Sequence, residues 1–360
     1  MTRPLLVVLL SLGFVAPTAS QPPPHYLYVG VPGSDLDASN GGVSILVFDT
    51  GRDHRFVKRI PIWPPDPAVE NIRGLELAPS TTSARAGAPR RPRLYVSTTR
   101  RLGAIDLATG SVLWVQSYRG HCCDKTAASP TGRVIYAPAF GSPEWYVIDP
   151  AGGVLVSTVH VIGWPRSTAF SRDGKLAYLA AWESNRLSVA DTASNTIARE
   201  IGPFSAYLCP FTINRKDSLV FANVDGLVGF EVGDLQTGLV LDRVQVSGYT
   251  PAQLGMYECP SHGLAFTPDE RELWVADGVD NRLRIFDATR YPPVEKSSIQ
   301  LTRQPRAIIF AQDGRYAYLS TGDVVDAVSK AIVAVLKDEH GTLVESEHMV
   351  EADMPSSAPR

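Results

Sequence analysis

The chain has 360 residues, 44% hydrophobic and 20% charged, with a formal net charge of −3. This is the balance of an ordinary soluble globular protein with a sizeable core. It argues against a nucleic-acid partner, because no cluster of Lys and Arg alternates with stacking aromatics.

The N-terminus differs from the rest. Arg3 precedes an apolar run from Leu5 to Val15, and Ala16-Pro17-Thr18-Ala19-Ser20 supplies small residues. A charged start, a short apolar core and a small-residue exit describe a secretory signal peptide over residues 1–20. The run is short for a membrane span, which leaves a retained anchor as the alternative, and no Cys follows it to take a lipid. Cleavage near Ser20 leaves Gln21-Pro22-Pro23-Pro24 in an extended leader over 21–25. No other stretch approaches the ~18 apolar residues of a transmembrane helix. The mature protein is therefore expected to be secreted or periplasmic, without a membrane span, and monomeric.

From Tyr26 onward the chain repeats. The unit is clearest at Trp164 to Ile201: a strand PRSTAF, a turn SRDG, then strands KLAYLAAW, RLSVAD and TIAREI. Aligned on the second strand, the units carry Tyr28, Tyr95, Tyr136, Tyr178, Phe221, Trp274 and Tyr318 at one position, each between small or apolar neighbours. Five of the six gaps are 41 to 53 residues; the first is 67, lengthened by loops around Pro64 to Pro67 and Ser80 to Pro92. The last of these loops ends in the basic run Arg90-Arg91-Pro92-Arg93, which reads as solvated. Third strands end in Asp49, Asp106, Asp149, Asp191, Asp287 and Asp326, with Phe230-Glu231 standing in the fifth unit. The recurrent Asp reads as a turn cap rather than a catalytic group.

Seven units of four short strands, with almost no helical period, predict an all-β, seven-bladed β-propeller over residues 26–353 as a single domain. The second-strand aromatics are expected to fill the wedges between blades. The chain begins at a second strand, so Thr342 to Met349 is expected to supply the missing strand and close the ring. Residues 354–360 are expected to form a disordered tail.

The turns Ser171-Arg172-Asp173-Gly174, Thr267-Pro268-Asp269-Glu270 and Ala311-Gln312-Asp313-Gly314 precede a Y-V-type strand, a V-I-D strand and a T-x-x-V strand. In this the units resemble the YVTN-type propeller repeat over roughly residues 26 to 338. The resemblance implies the fold. For function it implies a range, since such propellers include binding proteins, surface-layer-like proteins, and lactonase-like or lyase-like enzymes.

The first strand of each blade lines the central channel. Counting back five positions from the start of each turn gives Arg73, Asp124, Arg166, Cys209, His262 and Arg306. Equivalent by register, these residues are expected to ring one channel mouth. They read either as Arg and Asp paired across a wet channel or as a site for an anionic ligand. In the second case the Arg forks bind carboxylate or phosphate, and His262 and Asp124 are the acid–base candidates.

Cys122, Cys123, Cys209 and Cys259 lie within a few residues of these positions. Four cysteines in an exported chain suggest two disulfides. The favoured pairing is Cys209 with Cys259, on neighbouring blades, and Cys122 with Cys123, a vicinal bridge whose rigid surface would contact a ligand. Pairing Cys122 and Cys123 separately with the other two is the alternative. No cofactor is favoured; a divalent metal would use His121 and His262 with Asp124. Trp164, Tyr207 and Tyr257, with Tyr249, place aromatics on loops into the mouth, and Glu258 adds a carboxylate.

Two functional classes follow. One is a propeller that binds a small anionic or carbohydrate-like molecule, or a protein, at the channel mouth. The other is a lactonase-, lyase- or isomerase-type enzyme using His262 and Asp124 with the arginine ring.

Overall fold

A computed structural model of the chain describes residues 25–32, 43–63, 70–78, 93–119, 122–255 and 258–353. The expected signal peptide, most of the leader and the C-terminal tail lie outside these residues, as do His121 and Tyr257.

The described residues form seven four-stranded antiparallel sheets arranged as the blades of a ring. Six blades take their four strands consecutively; the clearest is Trp164–Phe170, Leu176–Trp182, Leu187–Asp191 and Thr196–Ile201. Among the described residues helix is confined to one turn, Pro251–Leu254, with a Thr250 capping box.

Blade 1 is built from both ends of the chain. Met349–Asp353 pairs antiparallel with His25–Val31, from Val29 opposite Met349 to His25 opposite Asp353. The ring closes as expected, but with a later segment than Thr342 to Met349. Within that earlier segment Leu343 makes only an isolated bridge with Lys337, and the chain then turns at Ser346 before the closing strand begins. This shift leaves Glu347 at the channel.

Seven clusters of buried apolar residues occupy the seven contacts between neighbouring blades. Each holds one second-strand aromatic: Tyr28, Tyr95, Tyr136, Tyr178, Phe221, Trp274 and Tyr318 are all 4% exposed or less. A large side chain at one register position in every blade therefore does the wedge filling. Fully burying such a side chain contributes roughly 1.5–3 kcal/mol.

The third-strand aspartates are turn caps. The Oδ1 atoms of Asp49, Asp106, Asp149, Asp191, Asp287 and Asp326 each accept the N–H two residues on, at 2.8–3.1 Å. The fifth blade conforms, with Asp234 accepting from Gln236 at 2.7 Å. Leu219 pairs with Asp234 as Leu176 pairs with Asp191, so the equivalent of Asp191 is Asp234 and not the Phe230-Glu231 pair. Every blade also shifts register between its third and fourth strands. Such bulges bend the outer edge and disfavour pairing with another chain.

Candidate functional site

The ring positions are made by a second set of bulges. The pairing of first and second strands skips one residue between Ile72 and Gly74, between Pro165 and Ser167, and between Ser261 and Gly263. The skipped residues are Arg73, Arg166 and His262. In blade 5 the irregularity falls between Leu208 and Phe211 and contains Cys209. A bulged residue leaves the ladder and its side chain is re-aimed, so the backbone turns these groups away from the blade.

Blade 1 supplies a seventh position that sequence reasoning missed. Val29 faces Met349 as Val96 faces Leu75. Two residues before Leu75 is Arg73, and two before Met349 is Glu347. The signal for it was the phase of the repeat, hidden because the segment around Glu347 reads as strand.

The ring is cross-linked by charge. Arg306 Nε lies 2.8 Å from Glu347 Oε1, and Arg306 Nη2 lies 3.3 Å from His262 Nε2. His262 Nδ1 is 4.0 Å from Glu347 Oε2. On the other side Arg166 Nη1 lies 3.6 Å from Asp124 Oδ2. Arg166 and Arg73 also stack on aromatic rings, Trp182 and Phe140, each at 5.0 Å. Gly263 allows the His262–Arg306 contact: a Cβ there would stand 2.4 Å from the Arg306 carbonyl oxygen. Only glycine lets the two first strands approach this closely.

Burial and charge set the protonation states. Burial drives His262 down, opposed by Glu347 and helped by Lys125 and Arg306, to about 4. Burial raises Glu347, but Lys125, His262, Arg306 and His348 outweigh it and hold the carboxyl at about 2. Asp124 is buried, and burial raises it against the pull of Arg166, Arg73 and Lys125. Beneath the ring a cavity of about 260 Å³ is lined by Glu76, Lys125, Ser167, His262, Arg306 and Glu347 among others. Glu76 is among the residues lining this space, and burial pushes its carboxyl up to about 8.

The cysteines divide. Cys209 and Cys259 stand at disulfide distance, with Cα atoms 6.0 Å apart, and tie the fifth and sixth blades at the ring. Cys122 and Cys123 are also at disulfide distance, but both are 0% exposed. They pack with Tyr95, Leu102 and Tyr146 between blades 2 and 3. The expectation of a vicinal bridge presented to a ligand is therefore corrected: the pair is core, because the loop carrying it tucks under blade 2, where the Cys123 N–H donates to the Thr98 carbonyl.

At the rim Trp164 is 45% exposed and Tyr207 half-buried. Burial raises the Tyr207 phenol, with Asp225 and Glu258 adding to it. Tyr249 is committed elsewhere, donating to Asp277 and accepting from Arg284. No three His, Cys, Asp or Glu side chains among the described residues are grouped to hold a metal ion. No described helix is long and apolar enough to cross a membrane.

A larger cavity of about 750 Å³ opens at the far, turn-bearing end of blades 6 and 7. Its central carboxylate, Glu272, is already bonded to Lys296 and Lys330. The channel mouth, which gathers Arg73, Asp124, Arg166, His262, Arg306 and Glu347, is the better site. No protein-family model matches the chain, and no curated protein is significantly similar to it in sequence.

Proposed function

We propose that this propeller is an exported binding protein that takes a small anionic or carbohydrate-like ligand at the channel mouth. The observation that carries the reading is a local excess of cations among the described residues. At the ring and the positions just below it, Arg73, Lys125, Arg166 and Arg306 face the carboxylates of Asp124 and Glu347. Arg166 and Arg306 keep part of their surface open to water and present forked donors that suit carboxylate or phosphate. The open face of Trp164 and the phenol of Tyr207 supply a flank on which a sugar or planar group can stack. The two cysteine pairs support an oxidising compartment. The turn-and-strand pattern of the blades supports kinship with YVTN-type propellers.

The enzyme reading has less support. A general base at His262 needs a free ring nitrogen, and Nε2 is engaged by Arg306. Catalysis would begin only once a bound anion drew Arg306 away.

The test is calorimetric titration of the full chain with a panel of small carboxylates, sugar phosphates and acidic sugars, with product analysis of each mixture. Saturable binding without turnover, weakened at least tenfold in an Arg166→Met/Arg306→Met variant, is the expected result. Binding that ignores loss of both arginines, or turnover that vanishes in His262→Ala, would overturn it.

A further inference from the structure

Three hydrogen-bond donors below the ring make no hydrogen bond among the described residues. Lys125 follows Asp124 and is half-buried; among the described residues no carboxylate oxygen lies within 4.0 Å of its ammonium. Its charge acts instead on Asp124, His262 and Glu347 together, as expected of an ammonium standing in the channel between them. Ser167 is bridged to Lys125 through the backbone and borders the same cavity. Its hydroxyl makes no hydrogen bond to another described residue. The third donor is the Nδ1–H of His262. The Arg306 guanidinium offers no acceptor, so Nε2 holds the lone pair toward it, and the proton of the neutral ring sits on Nδ1. That nitrogen is buried without a partner.

Lys125, Ser167 and His262 thus line one small cavity, with the Nδ1 atom itself covered. Leaving the buried Nδ1–H unpaired is unfavourable, and the half-buried Lys125 and Ser167 place two further donors beside it. We propose that the channel beneath the ring seats a small oxyanion, a carboxylate or a phosphate-like group, on Lys125 Nζ and Ser167 Oγ, with the His262 ring at its edge. The proposal rests on reading the mouth as an anion site and locates the seat within it.

The surroundings suit such a ligand. Apolar walls from Leu75, Phe211 and Leu264 lower the local dielectric and strengthen the attraction to Lys125. Glu76, held largely protonated at neutral pH, does not repel an anion and has a proton to donate, while the Glu347 carboxylate in the same lining is balanced by Arg306 at 2.8 Å. At about 260 Å³ the cavity is smaller than a typical drug-sized site. It therefore fits a small acid, or the acidic head of a ligand whose remainder lies against Trp164 and Tyr207 at the rim.

The experiment is calorimetric titration of the full chain at pH 7 in low-chloride buffer, with acetate and inorganic phosphate as separate probes. Wild type, Lys125→Met, Lys125→Arg and Ser167→Ala are compared. Saturable binding of at least one probe is expected, weakened tenfold or more in Lys125→Met, partly restored in Lys125→Arg, and weakened severalfold in Ser167→Ala. Acetate alone would identify a carboxylate seat and phosphate alone a phosphate seat. A wild type that binds neither probe, or a Lys125→Met variant with unchanged affinity, overturns the seat. The arginine-dependent reading of the mouth is judged separately by its own panel. If circular dichroism shows Lys125→Met unfolded, Ser167→Ala decides, and unchanged affinity there overturns the proposal.

Discussion

Arg306 donates a hydrogen bond to His262, its Nη2 standing 3.3 Å from the imidazole Nε2. A guanidinium has only donors, so this contact sets the tautomer of the ring, which burial, with Lys125 and Arg306, keeps neutral. Nitrogen-detected NMR of the wild type should show the Nδ1–H form persisting down to pH 5, because burial, Lys125 and Arg306 bring the group to about 4. In Arg306→Met one of the depressing charges is gone while Glu347 remains, so the titration should move up by about one unit. A midpoint that stays near the wild-type value would show that Arg306 does not help set it.

The same shift makes folding sensitive to mild acid. A histidine whose folded value is lowered keeps its full contribution above its unfolded value of ~6.5. As pH falls from there toward the folded value of about 4, the unfolded chain takes a proton that the folded chain refuses, and stability is lost. The loss should total on the order of 3 kcal/mol. Glu347 extends it: its depressed carboxyl stabilises the fold above its unfolded value near 4.5 and loses that contribution as pH falls toward about 2. Denaturant unfolding of His262→Gln from pH 7 to 4 should show a flatter dependence than wild type, and an unchanged slope would place the sensitivity elsewhere.

Glu347→Gln tests the ring as an electrostatic unit. The carboxylate balances Arg306 at 2.8 Å and faces His262 and Lys125, with its side chain 16% exposed. Removing one partner of a largely buried pair costs roughly 3–5 kcal/mol when fully enclosed. Here Arg306 keeps 47% of its side-chain surface in water, so a loss of about 2 kcal/mol is expected. Calorimetric unfolding measures it. A variant as stable as wild type would mean the ring is held by its strands alone, and a more stable one would mean the carboxylate is retained for function.

The position of Glu347 shows where sequence reading stopped. Seven second-strand aromatics at regular spacing made the ring of blades legible, because each blade must fill the same wedge with the same kind of side chain. Arg73, Arg166, His262 and Arg306 were equally legible, since register carries a channel position from blade to blade. Glu347 was not, because its blade is assembled from both ends of the chain and the closing strand starts seven residues later than the pattern suggested. Lys125 and Ser167 were hidden for another reason: they sit one place beyond the ring residue, where the first-strand bulges change which side chains reach the channel. The buried state of Cys122 and Cys123 depends on how one loop packs against Tyr95 and Tyr146, and spacing carries no information on that.

The Cys209–Cys259 bridge should be structural. It closes a loop with a sequence separation of 50 and joins the first strand of blade 5 to the loop leading into that of blade 6. Chain-entropy reasoning gives about 4 kcal/mol for a loop of that length, with measured bridges typically giving 2–4. Cys209→Ser/Cys259→Ser should therefore lower stability by about 2–4 kcal/mol and loosen anion binding at the mouth. Cys122 and Cys123 are adjacent and close no loop. Reduction of that pair should cost little through chain entropy, and replacing both with Ser should destabilise by burying two hydroxyls in an apolar wedge. Equal effects of the two double variants on stability and on binding would contradict this division.

Glu76 gives the opposite pH signature to His262, which makes the two separable. Its carboxyl is raised to about 8 by burial, relieved in part by the N–H of Ala128. Above an unfolded value near 4.5 the unfolded chain releases a proton that the folded chain keeps, so stability falls as pH rises from about 4.5 to about 8. Water in the channel screens part of this, so the cost at pH 8 is on the order of 2 kcal/mol. Glu76→Gln keeps the shape and the hydrogen-bonding capacity but cannot ionise. It should match wild type at pH 5, exceed it by that amount at pH 8, and bind anions at pH 8 at least as tightly as wild type, since no negative charge can then form beneath Lys125. Chemical denaturation at the two pH values measures the stability difference. A variant less stable than wild type at pH 8 would mean that Glu76 is ionised and paired in the channel, and the floor beneath Lys125 would then be anionic rather than neutral.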